Sequence, residues 1–319
     1  MTLVPLTTQM VPAEQLGDQT RRFLEASKTD ATRKAYRSDW AVFTAWCEAQ
    51  GVDSLPAAPE TVAFFIADEA GRVKAATITR RLATISQAHQ AEGHEPSPTS
   101  SALVRTTMAG IRRTKGTAQT AKAPALTADI RAMVDTVPGN LLGVRDRALL
   151  LIGFAGAFRR SELVALDVSD VVEVADGLVV TLRHSKTDQD GAGRKVGIPY
   201  GSTLATCPVR SLKAWLEASA ITEGPLFRNV NRHGQVAAVG LSDKTVALVV
   251  KRAAERGGLD PALYAGHSLR AGLATSAAAA GVSERAIMAQ TGHKSLPMVR
   301  RYIRDGQLFR ENAAAALGL

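Results

Sequence analysis

The run "VVEVADGLVVTLRHSKTDQDGAGRKVGIPY", residues 171–200, decides the fold class. Its valines, leucines and isoleucine fall into short β-favouring pieces, broken at Asp176-Gly177 and again at Gly191-Ala192-Gly193. Asp-Gly and glycine-flanked breaks between such pieces are hairpin signals, so the run predicts a small antiparallel sheet with Lys186 at a hairpin tip. Around it the pattern turns helical. Two helices, at about 127–137 and 141–158, lead in, and helices return from Pro208 to the end of the chain. The expected class is mainly α with a small antiparallel β-sheet in the C-terminal domain.

Upstream, strand signals are absent and helical spacing recurs. Tyr36, Trp40, Phe43 and Cys47 share one face of a segment that starts at Thr29 or Asp30 and stops at Gly51. A second segment runs from Pro59 to Gly71, a third aligns Ile78, Leu82 and Ile85, and "SALVRTTMAGIRRTKG" closes the group. The expected organisation is a flexible lead-in (1–18), an α-helical bundle (19–115), a linker (116–126) and a second domain (127–319). The linker, "GTAQTAKAPAL", is small, basic and proline-containing.

A net charge of +9 over 319 residues favours a polyanionic partner, nucleic acid before membrane surface. The two cysteines, Cys47 and Cys207, lie far apart in unrelated contexts, which argues against a disulfide framework and fits a reducing, cytoplasmic compartment. The opening "MTLVPLTTQMVPAEQL" lacks the basic and apolar regions of a signal peptide. "ALLLIGFAGAF" (148–158) is too short to span a bilayer and predicts a buried helix. No HExxH or CxxC pattern points to a metal, so the expectation is no metal and no cofactor.

Taken singly, the candidate reactive residues have ordinary explanations. Arg159 could be a solvated helix cap, Lys186 a hairpin lysine, His267 and Arg270 a satisfied helix start, His293 a loop histidine. Tyr302, in "TGHKSLPMVRRYIRDG" (291–306), could be core packing, a phosphate ligand or a nucleophile. Together they meet the needs of metal-free phosphodiester cleavage. Tyrosine is an oxygen nucleophile that can hold a covalent intermediate, although its free pKa near 10 calls for activation. Guanidinium forks match phosphate geometry and stay charged, histidine moves protons near neutrality, and lysine can protonate a leaving oxygen.

The segments "GAFRRSELVALDVSDV", "SKTD", "GHSLRAGLATSAAAAGV" and "TGHKSLPMVRRYIR" resemble the signature segments of tyrosine recombinases, the phage integrase family. The resemblance covers the chain from about 127 onward. It places the family's first arginine on Arg159, with Glu162 three residues on and Arg160 out of phase. The hairpin lysine falls on Lys186, the His-x-x-Arg box on His267 and Arg270, the His-or-Trp position on His293 and the nucleophile on Tyr302. It implies a Cre-like site-specific recombinase acting through a 3′-phosphotyrosyl link without metal or ATP. Arg159, Arg270 and His293 would hold the phosphate, Lys186 would serve as acid, His267 as base, and Glu162 would orient its neighbours. It further implies a core-binding bundle that clamps the duplex with the catalytic domain, an inverted-repeat site and a tetramer on DNA. A nucleoid-associated cytoplasmic protein would fit. The tail, with Leu308, Phe309 and Leu317, would dock on a neighbouring subunit or pack on its own domain. A type IB topoisomerase on one duplex, or a DNA-binding regulator without catalysis, is the alternative.

Candidate DNA contacts in the bundle are Arg33, Lys34 and Arg37; Lys74, Thr77, Arg80 and Arg81; and Arg112, Arg113 and Lys115. The polar face of Thr77, Arg80 and Arg81 is the expected major-groove reader, with lysines holding phosphates. A solvated helix face is the plainer reading of each.

Overall fold

The computed structural model describes residues 29–116, 121–183 and 193–307 (side chains to 303 in the last helix), and Leu317. The chain divides into two compact units, Met1–Thr120 and Ala121–Leu319.

The first unit is helical throughout its described residues: α1 (Asp30–Gln50), α2 (Pro59–Glu69), α3 (Ala75–Ala91) and α4 (Ala102–Lys115), with a short 3-10 turn at Pro98–Ser100. Local chemistry sets the ends. The Thr29 hydroxyl accepts the Thr32 N–H (3.3 Å) at the start of α1, and Gly51 ends it in the left-handed region, at φ 66°. Pro59 opens α2 where its missing N–H costs nothing. The apolar stripes then meet in one core around Phe43, Phe65, Ile66, Ile78, Ile85 and Met108. Phe43 and Phe65 contact edge to face with centroids 5.0 Å apart. His89 is a satisfied core residue: its Nδ1–H donates to Ile85 O (2.8 Å) and its Nε2 accepts the Ala57 N–H (2.9 Å).

The second unit contains α5 (Thr127–Asp135), α6 (Leu141–Ala155), α7 (Arg160–Val164), β1 (Val171–Val174), β2 (Gly177–Leu182), β3 (Arg194–Pro199), α8 (Pro208–Ser219), β4 (Arg228–Val230), β5 (Val236–Gly240), α9 (Asp243–Arg256), α10 (His267–Ala279), α11 (Glu284–Thr291) and α12 (Leu296–Gln307). The run that decided the fold forms an antiparallel β1-β2-β3 sheet, turning at Val174↔Gly177 and pairing Val180 with Val196. Leu178, Val180 and Leu182 on β2, and Val196 and Ile198 on β3, point into the core, the period-2 burial of a half-covered sheet. Trp215 of α8 is fully buried and donates its indole N–H to Leu226 O (2.9 Å).

Two expectations need correction. The helix expected to run to 158 ends at Ala155, and Ala157 turns the chain at φ +50°. Ala157 and Phe158 are still buried, so the apolar run recorded burial, which outlasts the helix. The region after Pro208 is also not all helix, since β4 and β5 form a hairpin between α8 and α9. Its turn is built by the Asn231 side chain, which accepts the N–H groups of His233 (2.9 Å) and Gln235 (3.0 Å), with Gly234 at φ 79°. Strands of three and five residues are too short to show a period-2 pattern between two helices.

At the C-terminal end, α10, α11 and α12 share a small core of Ala274, Ala278, Ile287, Val299 and Ile303, with Tyr302 packed against it. That cluster fixes the helix carrying Tyr302 to the helix that begins with His267.

Candidate active site

A cleft of about 570 Å³ in the second unit is lined by Arg159, His267, Arg270 and His293, together with Arg160, Asp243 and Lys294. The Tyr302 hydroxyl lies 2.9 Å from His267 Nε2, and the rings of Tyr302 and His293 are 5.9 Å apart. Residues from Arg159 to Tyr302, far apart in sequence, thus come together.

Each side chain is placed by a local device. Arg159 is the N-cap residue of α7, and Glu162, in the first turn, receives both its backbone N–H (2.9 Å to Oε2) and its guanidinium (Nη1 to Oε1, 2.5 Å). Glu162 is 3% exposed, so one buried carboxylate both caps the helix and aims the arginine. Arg270, 1% exposed, donates to Ala157 O (2.8 Å) and to His293 Nε2 (3.3 Å). The left-handed turn at Ala157 is what leaves that carbonyl outside any helix and free to accept.

A hydrogen-bond chain fixes the tautomer of His293. The Thr291 hydroxyl donates to Ile287 O (2.7 Å), so its oxygen accepts from His293 Nδ1–H (2.7 Å), and Nε2 is left as the acceptor facing Arg270. Burial of the ring, then the charges of Arg270 and Arg159, bring the His293 pKa down to about 4. In this state His293 is neutral and orients Arg270. Protein packed around the His267 imidazole, followed by the charges of Arg270, Arg159 and Arg160, holds its pKa below the ordinary histidine value. A neutral His267 at pH 7 is able to take a proton from Tyr302. Burial, with Arg159 adding to it, lowers Arg270 to about 10, which still leaves it charged at neutrality.

Arg194, at the start of β3, was not among the expected site residues. Its guanidinium donates to the carbonyls of Ala289 (3.3 Å) and Gln290 (3.2 Å), the last turn of α11. Burial lowers its pKa, and Glu162 and Arg159 act on it electrostatically. Gln290 ties the same turn to Ala155 O (2.7 Å) and Gly197 O (3.1 Å). The signal for Thr291 was present two residues before His293; nothing local in the sequence pairs position 194 with 289. Arg159, Arg194 and Arg270 act on one another here with Glu162 among them, while Asp243 lines the cleft beside Arg160. Partly desolvated cations in excess make a site that favours an anion. Lys186 lies outside the described residues, as do Leu308 and Phe309 of the tail; Leu317 is exposed.

In the first unit, Lys34, Arg37, Lys74, Arg80, Arg112, Arg113 and Lys115 are exposed, and Arg33 and Thr77 half-buried. Arg33 pairs with Asp30, and Arg112 donates to Thr79 Oγ1 (3.3 Å). Lys115 donates to Ala70 O and Val73 O (3.1 Å), closing the end of α2. Arg80 makes a fork to Asp39 (2.6 and 2.9 Å) yet keeps half its side chain in solvent. Arg81 is the correction. Its side chain is 12% exposed and lies between Glu69 and Asp39 (3.7 Å), so it neutralises two buried carboxylates and does not share the exposed polar face of Arg80. Helical spacing on α3 alone cannot reveal carboxylates supplied by α1 and α2.

Residues 126–307 match the profile of the Phage integrase family. The chain is 45% identical over 303 residues to an "Integrase/recombinase xerD homolog" of Selenomonas ruminantium, covering 94% of this chain and 89% of that one. It is 24% identical to "Recombinase cre" of Escherichia phage P1, covering 92% of each. Among solved structures, a lambda integrase tetramer bound to a Holliday junction aligns with a TM-score of 0.59 at 18% identity, over 98% of this chain and 84% of that one. That last likeness is one of fold.

Proposed function

The chain belongs to the phage integrase family, the tyrosine recombinases, and from that premise we propose that it is a site-specific recombinase that cuts and rejoins double-stranded DNA through Tyr302. The observation that carries this reading is the 2.9 Å contact between the Tyr302 hydroxyl and a neutral His267, at a cleft built around Arg159 and Arg270.

His267 takes the phenolic proton as the Tyr302 oxygen attacks phosphorus. Arg159 and Arg270 face the non-bridging oxygens, whose charge grows as the phosphorane forms. Glu162 and His293 keep those two guanidiniums aimed. Proton uptake at His293 Nε2, favoured by an arriving phosphate, would convert it from an acceptor of Arg270 into a donor to the phosphate. Lys186 is assigned the proton for the departing 5′ oxygen, on its sequence position. The product is a 3′-phosphotyrosyl bond, and attack on it by a 5′ hydroxyl reverses the step. One phosphoester replaces another, so strand rejoining needs no ATP.

Moving a cut strand to a second duplex takes a subunit at each of four cleavage positions, and we assign the working form as a tetramer on DNA at inverted-repeat sites. The likeness in fold to a lambda integrase tetramer bound to a Holliday junction supports the tetramer. A plasmid carrying two copies of the site is the test, the site being taken from DNA the protein protects in its own genomic neighbourhood. Deletion or inversion between the copies is the expected product. Relaxation of a one-site plasmid, with no recombinant from the two-site plasmid, would reassign the chain to single-duplex nicking and closing.

A further inference from the structure

Arg160 stands beside the first catalytic arginine, yet it takes no part in the chemistry above. Arg159 turns inward to Glu162, while Arg160 runs outward across Gly266, the residue before His267. A Cβ on Gly266 would sit 2.3 Å from Arg160 Cγ and Cδ, and Gly266 has an ordinary φ of −58°. The arginine stem thus fills the space a side chain at 266 would take. The stem is laid against the start of α10, and the guanidinium enters the same cleft as His267, Arg270 and His293. Its charge is felt at His267.

Its partner is weak. Arg160 Nη2 lies 3.7 Å from Asp243 Oδ2, beyond hydrogen-bond reach, and the two side chains are 41% and 47% exposed. Exposed pairs of this kind contribute little, so a phosphate can displace Asp243 readily. Lys294, Ser161 and Ser295 line the same cleft and offer further donors. Asp243, in the first turn of α9, is favourable to that helix's dipole but unfavourable to an incoming polyanion.

We infer that the cleft takes two neighbouring phosphodiesters of one strand, that Arg160 is the ligand of the second, and that Asp243 holds Arg160 until DNA arrives. The inference rests on the DNA-acting role proposed above, but not on the nucleophile. Arg160 in this role binds and positions the strand next to the bond that is cut.

The test is binding of the full chain to a labelled duplex of arbitrary sequence, by fluorescence anisotropy, between roughly 50 and 200 mM salt. Arg160→Gln is expected to make the slope of log affinity against log salt shallower by about 0.9, the loss of one phosphate contact, and Arg160→Lys to keep the slope. Asp243→Asn is expected to strengthen binding in the wild-type background and to do nothing when Arg160 is already Gln. A native slope in Arg160→Gln overturns the inference. So does Asp243→Asn strengthening both backgrounds equally, which is bulk charge alone. If Arg160→Gln does not fold, Asp243→Asn with no gain in affinity overturns it unaided. Binding is read without cleavage, so a missing Tyr302 adduct would sink the recombinase reading while leaving this one standing, and an unchanged slope would do the reverse.

Discussion

Arg270 reaches two acceptors at once, Ala157 O and His293 Nε2, and a lysine ammonium at the end of an unforked stem cannot reproduce both. Arg270→Lys should therefore keep the fold and slow covalent adduct formation by roughly 10²–10³-fold, measured in single-turnover assays. The base proposed here, His267, works unprotonated. Because its pKa is held below the ordinary histidine value, the rate should rise with pH at its acid limb, level off before neutrality, and fall again as Arg270 loses its proton near about 10. Loss of the acid limb in His267→Gln would assign it. In the bundle, Arg81→Leu strands the buried carboxylates of Glu69 and Asp39 and should cost about 3–5 kcal/mol by denaturant unfolding, whereas Lys34→Ala on the exposed face should cost next to nothing. That Arg159, His267, Arg270, His293 and Tyr302 would meet was legible because each sits in a short motif of the family the sequence resembles. Arg194 was not, since its partners Ala289 and Gln290 are distant in sequence and are met through backbone carbonyls, which leave no mark on residue type.

The turn between α11 and α12 converts helix geometry into catalytic geometry. Gly292 ends α11 at φ 66°, the next residue is His293, and a Cβ at 292 would lie 2.8 Å from Arg194 Nε. Gly292→Ala should lower stability by about 1–2 kcal/mol through backbone strain, and should depress adduct formation further than that loss of folded protein explains. Comparing melting curves with single-turnover rates separates the two effects. The helices of the first unit could be read from apolar spacing, and the three-stranded sheet from its Asp-Gly and glycine breaks. The end of α6 and the β4–β5 hairpin could not. The first is a turn at Ala157, a residue that normally favours helix, and the second is organised by one asparagine side chain.

The two units have separate hydrophobic cores, one around Phe43 and Phe65, the other around α6, α8 and the sheet. Residues 1–120 produced alone should accordingly fold and melt cooperatively, checked by circular dichroism. Stability of the second unit should depend on acid through His293. Its folded pKa, about 4, lies below the ordinary 6.5, so the unfolded chain binds a proton that the folded chain refuses as pH falls between those values. The melting temperature should be flat above pH 6.5, should drop toward pH 4, and should drop less in His293→Gln. The central claim for the whole molecule remains that the Tyr302 oxygen attacks DNA phosphorus. It is tested most directly by incubating the protein, in buffer containing a metal chelator and no nucleotide, with a nicked duplex from which the short fragment bearing the freed 5′ hydroxyl escapes after cleavage. Wild type should accumulate a protein–DNA adduct whose peptide map places the 3′-phosphate on Tyr302, and Tyr302→Phe should give none; an adduct on another residue, or one that survives Tyr302→Phe, would contradict the account.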